Sequence, residues 1–192
     1  MKLFGRKKTP QPIVISDLEM AEKLIPAIEA TARCRPVMGM MLDDPRYVEG
    51  MIESGDRSPE LIRILHDAVN RFDQYHADAE REWDAVSAYT TAAGSPFRAL
   101  EGNISFLCFW GRVVVRNNRD MLLSSFFGKD KDTDESARGV EEARASARPY
   151  ANAVVLVLRG ATQREASPAK QRLVDCMPLR KVLGMYCDPD HR

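Results

Sequence analysis

The sequence lacks a net charge and has little histidine. Its 28 Lys and Arg residues balance 28 Asp and Glu residues, and it contains three histidines. Because proteins that neutralise many phosphates usually carry a basic surplus, this balance disfavours general nucleic-acid binding. The sequence also has no G-x-S-x-G motif, no phosphate-binding glycine loop and no G-x-G-x-x-G motif. These absences leave no recognisable catalytic motif.

Closely spaced cysteines are also absent. The four cysteines, at positions 34, 108, 176 and 187, form no C-x-x-C pair. Cys108 lies in the most apolar stretch, where burial raises a thiol pKa and makes the thiol unreactive. Cys176, Cys187 and His191 form a C-x10-C-x3-H pattern, but zinc sites usually begin with two closely paired ligands. We interpret Cys176 as a buried core residue and expect no zinc site.

Long hydrophobic runs are missing. The apolar runs Ile104–Trp110 and Ala153–Leu158 are too short to cross a bilayer of about 30 Å. The basic start, Met1–Lys8, continues into Thr9-Pro10 and not into the apolar region of a signal peptide. We therefore expect a cytoplasmic protein with reduced thiols, either free or peripheral at the inner membrane surface.

The composition that remains is globular, with 44% hydrophobic and 29% charged residues. Helix starts are marked by a capping residue followed by proline, because proline suits the first helical position. These pairs are Asp44-Pro45, Ser58-Pro59, Ser95-Pro96 and Ser167-Pro168. A fifth start, Ser16-Asp-Leu-Glu19, has the spacing of a capping box.

These signals predict an all-α fold, a single-domain bundle of about four main helices with short peripheral helices. Residues 1–15 are predicted to be a flexible basic tail, residues 16–186 the helical domain and residues 187–192 a polar tail. Proline is expected to kink or split the first helix at Pro26 and to kink the fifth at Pro149. The predicted helices are Asp17–Cys34, Pro45–Glu53, Pro59–Ala93 (capped by Gly94), Pro96–Phe127, one from near Ser136, Pro168–Cys176 and Pro178–Tyr186, with a charged loop at Gly128–Glu135.

The segment 104–116 permits a second interpretation. Its centre, Ile104–Val115, is apolar almost all round, as expected of a helix enclosed by other helices. Its aromatic and β-branched residues also suit a small buried hairpin, which would make the fold α+β. We favour the helix.

A metal site is the first functional hypothesis that residues suggest. Asp73 and His76 have the spacing of a Glu-x-x-His metal motif, and Glu80 follows one turn later. At about 100° per residue, however, Asp73 and Glu80 point away from the apolar stripe, and His76 lies at its edge. We interpret the set as a solvated acidic face and expect no metal or cofactor; these three residues are the candidates if a metal is found.

The first eight residues have a distinct surface chemistry. Two apolar residues, Leu3 and Phe4, precede the bases Arg6, Lys7 and Lys8. Such a segment suits an anionic membrane or an acidic protein surface, with each base contributing about 1 kcal/mol near such a surface. The alternative is a tail whose charge aids solubility. We name these five residues as candidate interaction residues.

The charge is divided along the chain. Residues 16–94 contain sixteen acidic and eight basic residues, whereas residues 95–192 contain twelve acidic and sixteen basic residues. The two regions are expected to attract each other within one bundle or between subunits. The leading hypothesis is a non-enzymatic interaction protein (an adaptor, chaperone-like protein or assembly factor) that binds a protein partner or forms a homo-oligomer. A metal- or ligand-dependent helical-bundle enzyme and a peripheral membrane-binding module are the alternatives.

Overall fold

The computed structural model describes residues 11–42, 58–127, 130–162 and 167–187. In these ranges the chain forms six helices and two short strands. They are β1 (Ile13–Ile15), α1 (Asp17–Leu42), α2 (Pro59–Ser87), β2 (Tyr89–Thr91), α3 (Arg98–Phe127), α4 (Asp130–Thr162), α5 (Pro168–Val174) and α6 (Met177–Tyr186). The predicted all-α helical bundle is confirmed.

Most of the helix starts that the structure describes follow the sequence signals. Ser16 and Glu19 form the capping box: the Ser16 N–H donates to Glu19 Oε2 at 2.9 Å, and the Glu19 N–H donates to Ser16 Oγ at 3.3 Å. The hydrogen bonds from Ser16 lower the pKa of Glu19. Ser167 caps α5 in the same way, by accepting the Lys170 N–H. Local sequence therefore determines where these helices begin.

The helix ends differ more from prediction. The first helix is not split at Pro26 and continues to Leu42 instead of ending at Cys34. The third predicted helix ends at Ser87 instead of Ala93, and Gly94 lies in the turn that follows β2. Tertiary contacts explain the earlier end, since the Ile13 N–H donates to the Ala88 carbonyl and draws the chain into β2.

The two strands form a parallel pair that the sequence did not predict. Ile13, Val14 and Ile15 lie opposite Tyr89, Thr90 and Thr91. The predicted boundary of the tail at residue 15 is therefore wrong, because residues 13–15 belong to the folded domain. The buried Thr91 hydroxyl donates to Glu101 Oε2 at 2.8 Å, which ties the strand pair to α3.

The segment 104–116 is helical throughout, so the alternative of a buried hairpin is wrong. The next helix, α4, begins at Asp130 and includes residues 130–135, which were predicted to be loop. It continues through Pro149 to Thr162. The predicted helix Pro45–Glu53, residues 1–10 and residues 188–192 lie outside the described residues.

Helix α1 is the centre of the packing. It contacts α2, α3, α5 and α6, whereas α4 packs mainly against α3. The side chains that α1 contributes to the core are fully or almost fully buried and several are small: Met20, Ala21, Leu24, Ala27, Ile28 and Ala30. Small side chains allow the neighbouring helices to approach α1 closely.

One buried hydrogen bond joins α1 to α2. The Trp83 indole N–H donates to Thr31 Oγ1 at 2.9 Å, and the Thr31 hydroxyl donates to the Ala27 carbonyl at 2.9 Å. Two further helices, α3 and α6, also come together at Thr31. The Thr31 methyl group and the Tyr186 ring of α6 both lie against Gly111 of α3. A buried indole N–H needs such an acceptor.

Replacing the acceptor tests this contact. Thr31→Val keeps the shape of the side chain but leaves the Trp83 N–H without its acceptor, so we expect a loss of about 1–3 kcal/mol in the free energy of unfolding. Thr31→Ser retains the hydroxyl and is the matched control, expected to lose less. Urea titrations followed by circular dichroism measure both, and equal stability of Thr31→Val and the unsubstituted protein would contradict the assignment.

Candidate interaction surface

The outward side of α3 carries exposed aromatic residues. Phe106 is 53% exposed and Phe109 is 46% exposed. Phe109 packs edge-on against Trp110, with ring centroids 5.3 Å apart, and Phe106 stacks on Tyr150 of α4, with centroids 5.1 Å apart. We call these four residues, Phe106, Phe109, Trp110 and Tyr150, the aromatic surface.

The spacing along α3 places this surface opposite the core. At about 100° per residue, Phe106, Phe109 and Val113 fall within about 60° of one another. The buried side chains of the same helix, among them Ile104, Leu107 and Cys108, point to the other side. The expectation that Ile104–Val115 is enclosed by other helices is therefore wrong, because the described helices leave this side of α3 uncovered.

Helix α4 extends the surface. Its chain runs antiparallel to α3: Gly139 lies against Asn117, so that a Cβ atom at Gly139 would be 2.7 Å from Asn117 Nδ2, while the later residue Tyr150 meets the earlier residue Phe106. Neither Gly102–Gly111 nor Pro149–Leu158 contains an Asp, Glu, Lys or Arg. Two adjacent uncharged stretches therefore meet at one face of the bundle.

The exposed area is large enough to influence association. A phenylalanine side chain contributes on the order of 200 Å², so the exposed halves of Phe106 and Phe109 leave about 200 Å² of apolar surface in water. At about 25 cal/mol per Å², covering that area contributes roughly 5 kcal/mol before the entropic cost of association. Monomeric proteins commonly expose apolar patches of a few hundred Å², so this surface is distinguished by its aromatic composition and not by its area.

Helix α2 borders the other side of α3, and this border is charged. Arg119 of α3 pairs with Asp73 of α2: Nη2 donates to Oδ2 at 2.9 Å, and Nε lies 2.9 Å from Oδ1. Arg112 places its guanidinium 5.6 Å from the centre of the Trp83 ring. Burial lowers the pKa of Arg112, and the nearby carboxylate of Glu80 opposes that shift. The acidic side of α2 therefore faces basic residues of α3.

The metal candidates lie along this border. Asp73 is engaged by Arg119, and His76 Nδ1 lies 3.7 Å from Glu80 Oε1. Within the described ranges, no group of three or more His, Cys, Asp or Glu side chains is arranged to hold a metal ion. The structure thus places Asp73, His76 and Glu80 on one side of α2, as the helical spacing requires, and gives Asp73 a cationic partner.

His76 is partly buried, with 15% of its side chain exposed, and its ring lies 5.6 Å from that of Phe72. Burial is the main cause that lowers its pKa; Arg112 and Arg116 lower it further, whereas Glu80 and Asp73 oppose the shift. Below its unperturbed pKa of about 6.5, the histidine of the unfolded chain binds a proton more readily than that of the folded protein. Lowering the pH through about 6.5 therefore reduces the free energy of unfolding.

The pH dependence of unfolding tests this environment. We expect the free energy of unfolding to fall between pH 7.5 and pH 5.5, and to fall less in His76→Gln because that variant no longer titrates at this position. Gln74→Asn, at an exposed position of the same helix, removes no titratable group and should retain the slope of the unsubstituted protein. Guanidinium titrations at both pH values measure the difference, and identical slopes in the two variants would contradict a lowered pKa.

The cysteines are buried in the core, and all four are free thiols. Burial raises the pKa of Cys34 to about 11 and that of Cys108 to about 12. It also raises the pKa of Cys176. Cys176 and Cys187 are each 6% exposed, and His191, the third residue of the C-x10-C-x3-H pattern, lies outside the described residues. Thiols in such surroundings are poor nucleophiles at neutral pH.

Thiol labelling tests the burial of the cysteines. With Ellman's reagent at pH 8, the native protein should show no rapid reaction, because all four thiols are buried and burial raises the pKa of Cys34, Cys108 and Cys176. The denatured chain should release four equivalents, one for each cysteine. Ala93→Cys, at an exposed loop position, is the positive control and should react at once. A fast-reacting thiol in the unsubstituted native protein would contradict the burial.

The candidate interaction residues Leu3, Phe4, Arg6, Lys7 and Lys8 lie outside the described residues. The aromatic surface was missed as a site because three of its four residues, Phe106, Phe109 and Trp110, belong to a segment that the sequence indicated to be enclosed. The sequence did contain one signal for this surface. Phe106 and Phe109 lie on one side of a helix whose opposite side already carries enough apolar residues to face the core. Among the described helices, none combines the length and apolar character needed to cross a membrane.

Comparisons with known proteins give no relative. No family model, no curated protein and no solved structure matches the chain.

Proposed function

We propose that this chain is a non-enzymatic interaction protein, an adaptor, chaperone-like protein or assembly factor, that binds a protein partner or a second copy of itself through the aromatic surface. The observation that supports this most directly is the exposure of Phe106 and Phe109 on a helix whose opposite side already fills the core. Phe106 and Phe109, which pack against Tyr150 and Trp110, expose apolar surface to water, and this exposure is unfavourable in free energy. A partner that covers the surface removes that unfavourable contribution.

The composition of the surface supports a protein partner. Aromatic side chains are enriched in the centres of protein interfaces, where charged residues are depleted. The aromatic surface has both properties, since α3 and α4 contribute no charged residue over Gly102–Gly111 and Pro149–Leu158. The stacking of Phe106 on Tyr150 and the edge-on contact of Phe109 with Trp110 also restrict these rings before binding, which lowers the entropic cost of association.

Removing the two phenylalanines tests the proposal. Phe106→Ser with Phe109→Ser should weaken binding at least about 10-fold, since residues in the centre of an interface typically contribute 1–2 kcal/mol or more each. Met177→Ser is the matched control, because Met177 is 58% exposed on α6 and lies outside the aromatic surface. Sedimentation velocity over a concentration series measures self-association, and titration with a purified partner identified by affinity capture measures hetero-association.

One combination of results would contradict the proposal. If the unsubstituted protein is monomeric at every concentration, and every captured protein binds the double serine variant as well as the unsubstituted chain, the aromatic surface is not an interaction site. Both side chains are about half buried, so the double variant is expected to unfold at a lower temperature than the unsubstituted protein. A native circular dichroism spectrum at the temperature of the binding assay separates a binding defect from a folding defect.

A further inference from the structure

The buried apolar side chains that the structure describes form two clusters. The main cluster includes residues of all six helices. The other, which we call the minor cluster, lies between α1, α2 and α3 and consists of Ala30, Cys34, Phe72, Ala79 and Val115, with Tyr75 packed against it. Two of its five buried residues are alanines, so opening it exposes far less apolar surface than unfolding the whole protein. Local openings of this kind need less free energy than global unfolding.

The two clusters meet α2 at different turns. Phe72 and Ala79 belong to the minor cluster, whereas Trp83 and Val86 belong to the main cluster. The hydrogen bond from the Trp83 indole to Thr31 holds the later turns of α2 on α1. The turns that precede Trp83 can therefore move away from α3 without breaking this bond.

Arginine side chains of α3 border this part of α2. The Arg119 guanidinium lies 6.0 Å from the centre of the Phe72 ring, and the Arg112 guanidinium lies 5.6 Å from the centre of the Trp83 ring. Arg116, which is exposed, lies about one turn from each of these two arginines along α3. Three cations therefore follow one another on the side of α3 that faces the minor cluster.

His76 lies at the edge of the minor cluster. Its ring is 5.6 Å from that of Phe72, and 15% of its side chain is exposed. A proton on this imidazole loses hydration and also lies near the positive charges of Arg112 and Arg116, and both effects lower the pKa of His76. The closed cluster therefore disfavours the charged form of His76.

Two carboxylates of α2 oppose this effect. Glu80 Oε1 lies 3.7 Å from His76 Nδ1, but 60% of the Glu80 side chain is exposed, so water screens the attraction. Asp73 is held by Arg119 through two contacts of 2.9 Å, which already compensate its charge. From α1 the minor cluster receives Cys34, whose thiol is neutral because burial raises its pKa to about 11. Burial and the arginines therefore outweigh the carboxylates.

We propose that the minor cluster is a pH-sensitive element of the fold: protonation of His76 favours an open state in which residues 72–79 of α2 move away from α3 and Cys34 becomes accessible, while the main cluster stays packed. In the open state the imidazole lies in water, away from Arg112 and Arg116. Opening therefore becomes easier as the pH falls through about 6.5, where a solvated histidine binds a proton. This inference is independent of the aromatic surface and of its partner.

Thiol labelling resolved by residue measures the opening, because Cys34 belongs to the minor cluster and Cys108 to the main cluster. A dithiodipyridine reagent reacts with thiols in acidic as well as in neutral solution, and peptide mass spectrometry assigns each modified cysteine. Each rate is divided by that of the urea-denatured chain at the same pH, so that it reports accessibility and not thiol ionisation.

The normalised rate of Cys34 should exceed that of Cys108 at least about 10-fold, because a local opening is more frequent than global unfolding. Between pH 7.5 and pH 5.5 the Cys34 rate should rise at least about threefold. The limit is about 10-fold, which a solvated histidine with a pKa of about 6.5 sets over this range.

Three variants assign the pH response. His76→Gln removes the titrating group and should abolish the rise at Cys34. Gln74→Asn, at an exposed position of the same helix, is the matched control and should keep it. Arg116→Gln removes one repelling cation and should make the rise smaller. Circular dichroism at both pH values checks that each variant is folded.

Three results overturn the proposal: equal normalised rates at Cys34 and Cys108, a Cys34 rate that does not change with pH, or a pH response that persists in His76→Gln. Low concentrations of urea give a further test, since the effect of urea scales with the surface that an opening exposes. A Cys34 rate that responds to urea less than the Cys108 rate supports a local opening, and equal responses contradict it.

Discussion

The burial of one side of α1 is the constraint on which the rest of the structure depends. Four helices pack against it, and they can do so because Ala21, Ala27 and Ala30 leave room for their neighbours. Thr31 adds the polar contact that this arrangement requires, since its hydroxyl accepts the buried indole N–H of Trp83 and satisfies its own donor at Ala27. The position of α1 therefore decides which side of α2 and which side of α3 face inward.

The division of charge along the sequence has a local structural consequence at the border of these helices. Asp73 of α2 pairs with Arg119 of α3, and Glu22 of α1 pairs with Arg172 of α5, with 2.6 Å between Arg172 Nε and Glu22 Oε1. Both pairs join the acidic first half of the chain to the basic second half. Exposed pairs of this kind contribute about 1 kcal/mol or less each, so they align the helices more than they stabilise them. The Asp73 carboxylate that resembled a metal ligand has this structural role.

The aromatic surface follows from the same packing. Because α1 and α4 cover two sides of α3 and α2 borders a third, the fourth side faces water, and it carries Phe106 and Phe109. The absence of charge over Gly102–Gly111 of α3 and Pro149–Leu158 of α4 makes this side different from the acidic side of α2. The proposed function interprets that difference as a partner site.

Local sequence determined the helical class, the capping box at Ser16 and Glu19 and the start of α5 at Ser167-Pro168, because each depends on a few neighbouring residues and on the missing N–H of proline. It also placed Asp73 and Glu80 correctly on the outside of a helix. Only the tertiary structure decided that α2 ends at Ser87, that residues 13–15 pair with residues 89–91, and that Phe106 and Phe109 are exposed. Strand pairing needs a partner that is distant in sequence. Whether an apolar side chain is exposed depends on how many helices surround the helix that carries it. The hydrophobic periodicity of that one helix does not contain this information.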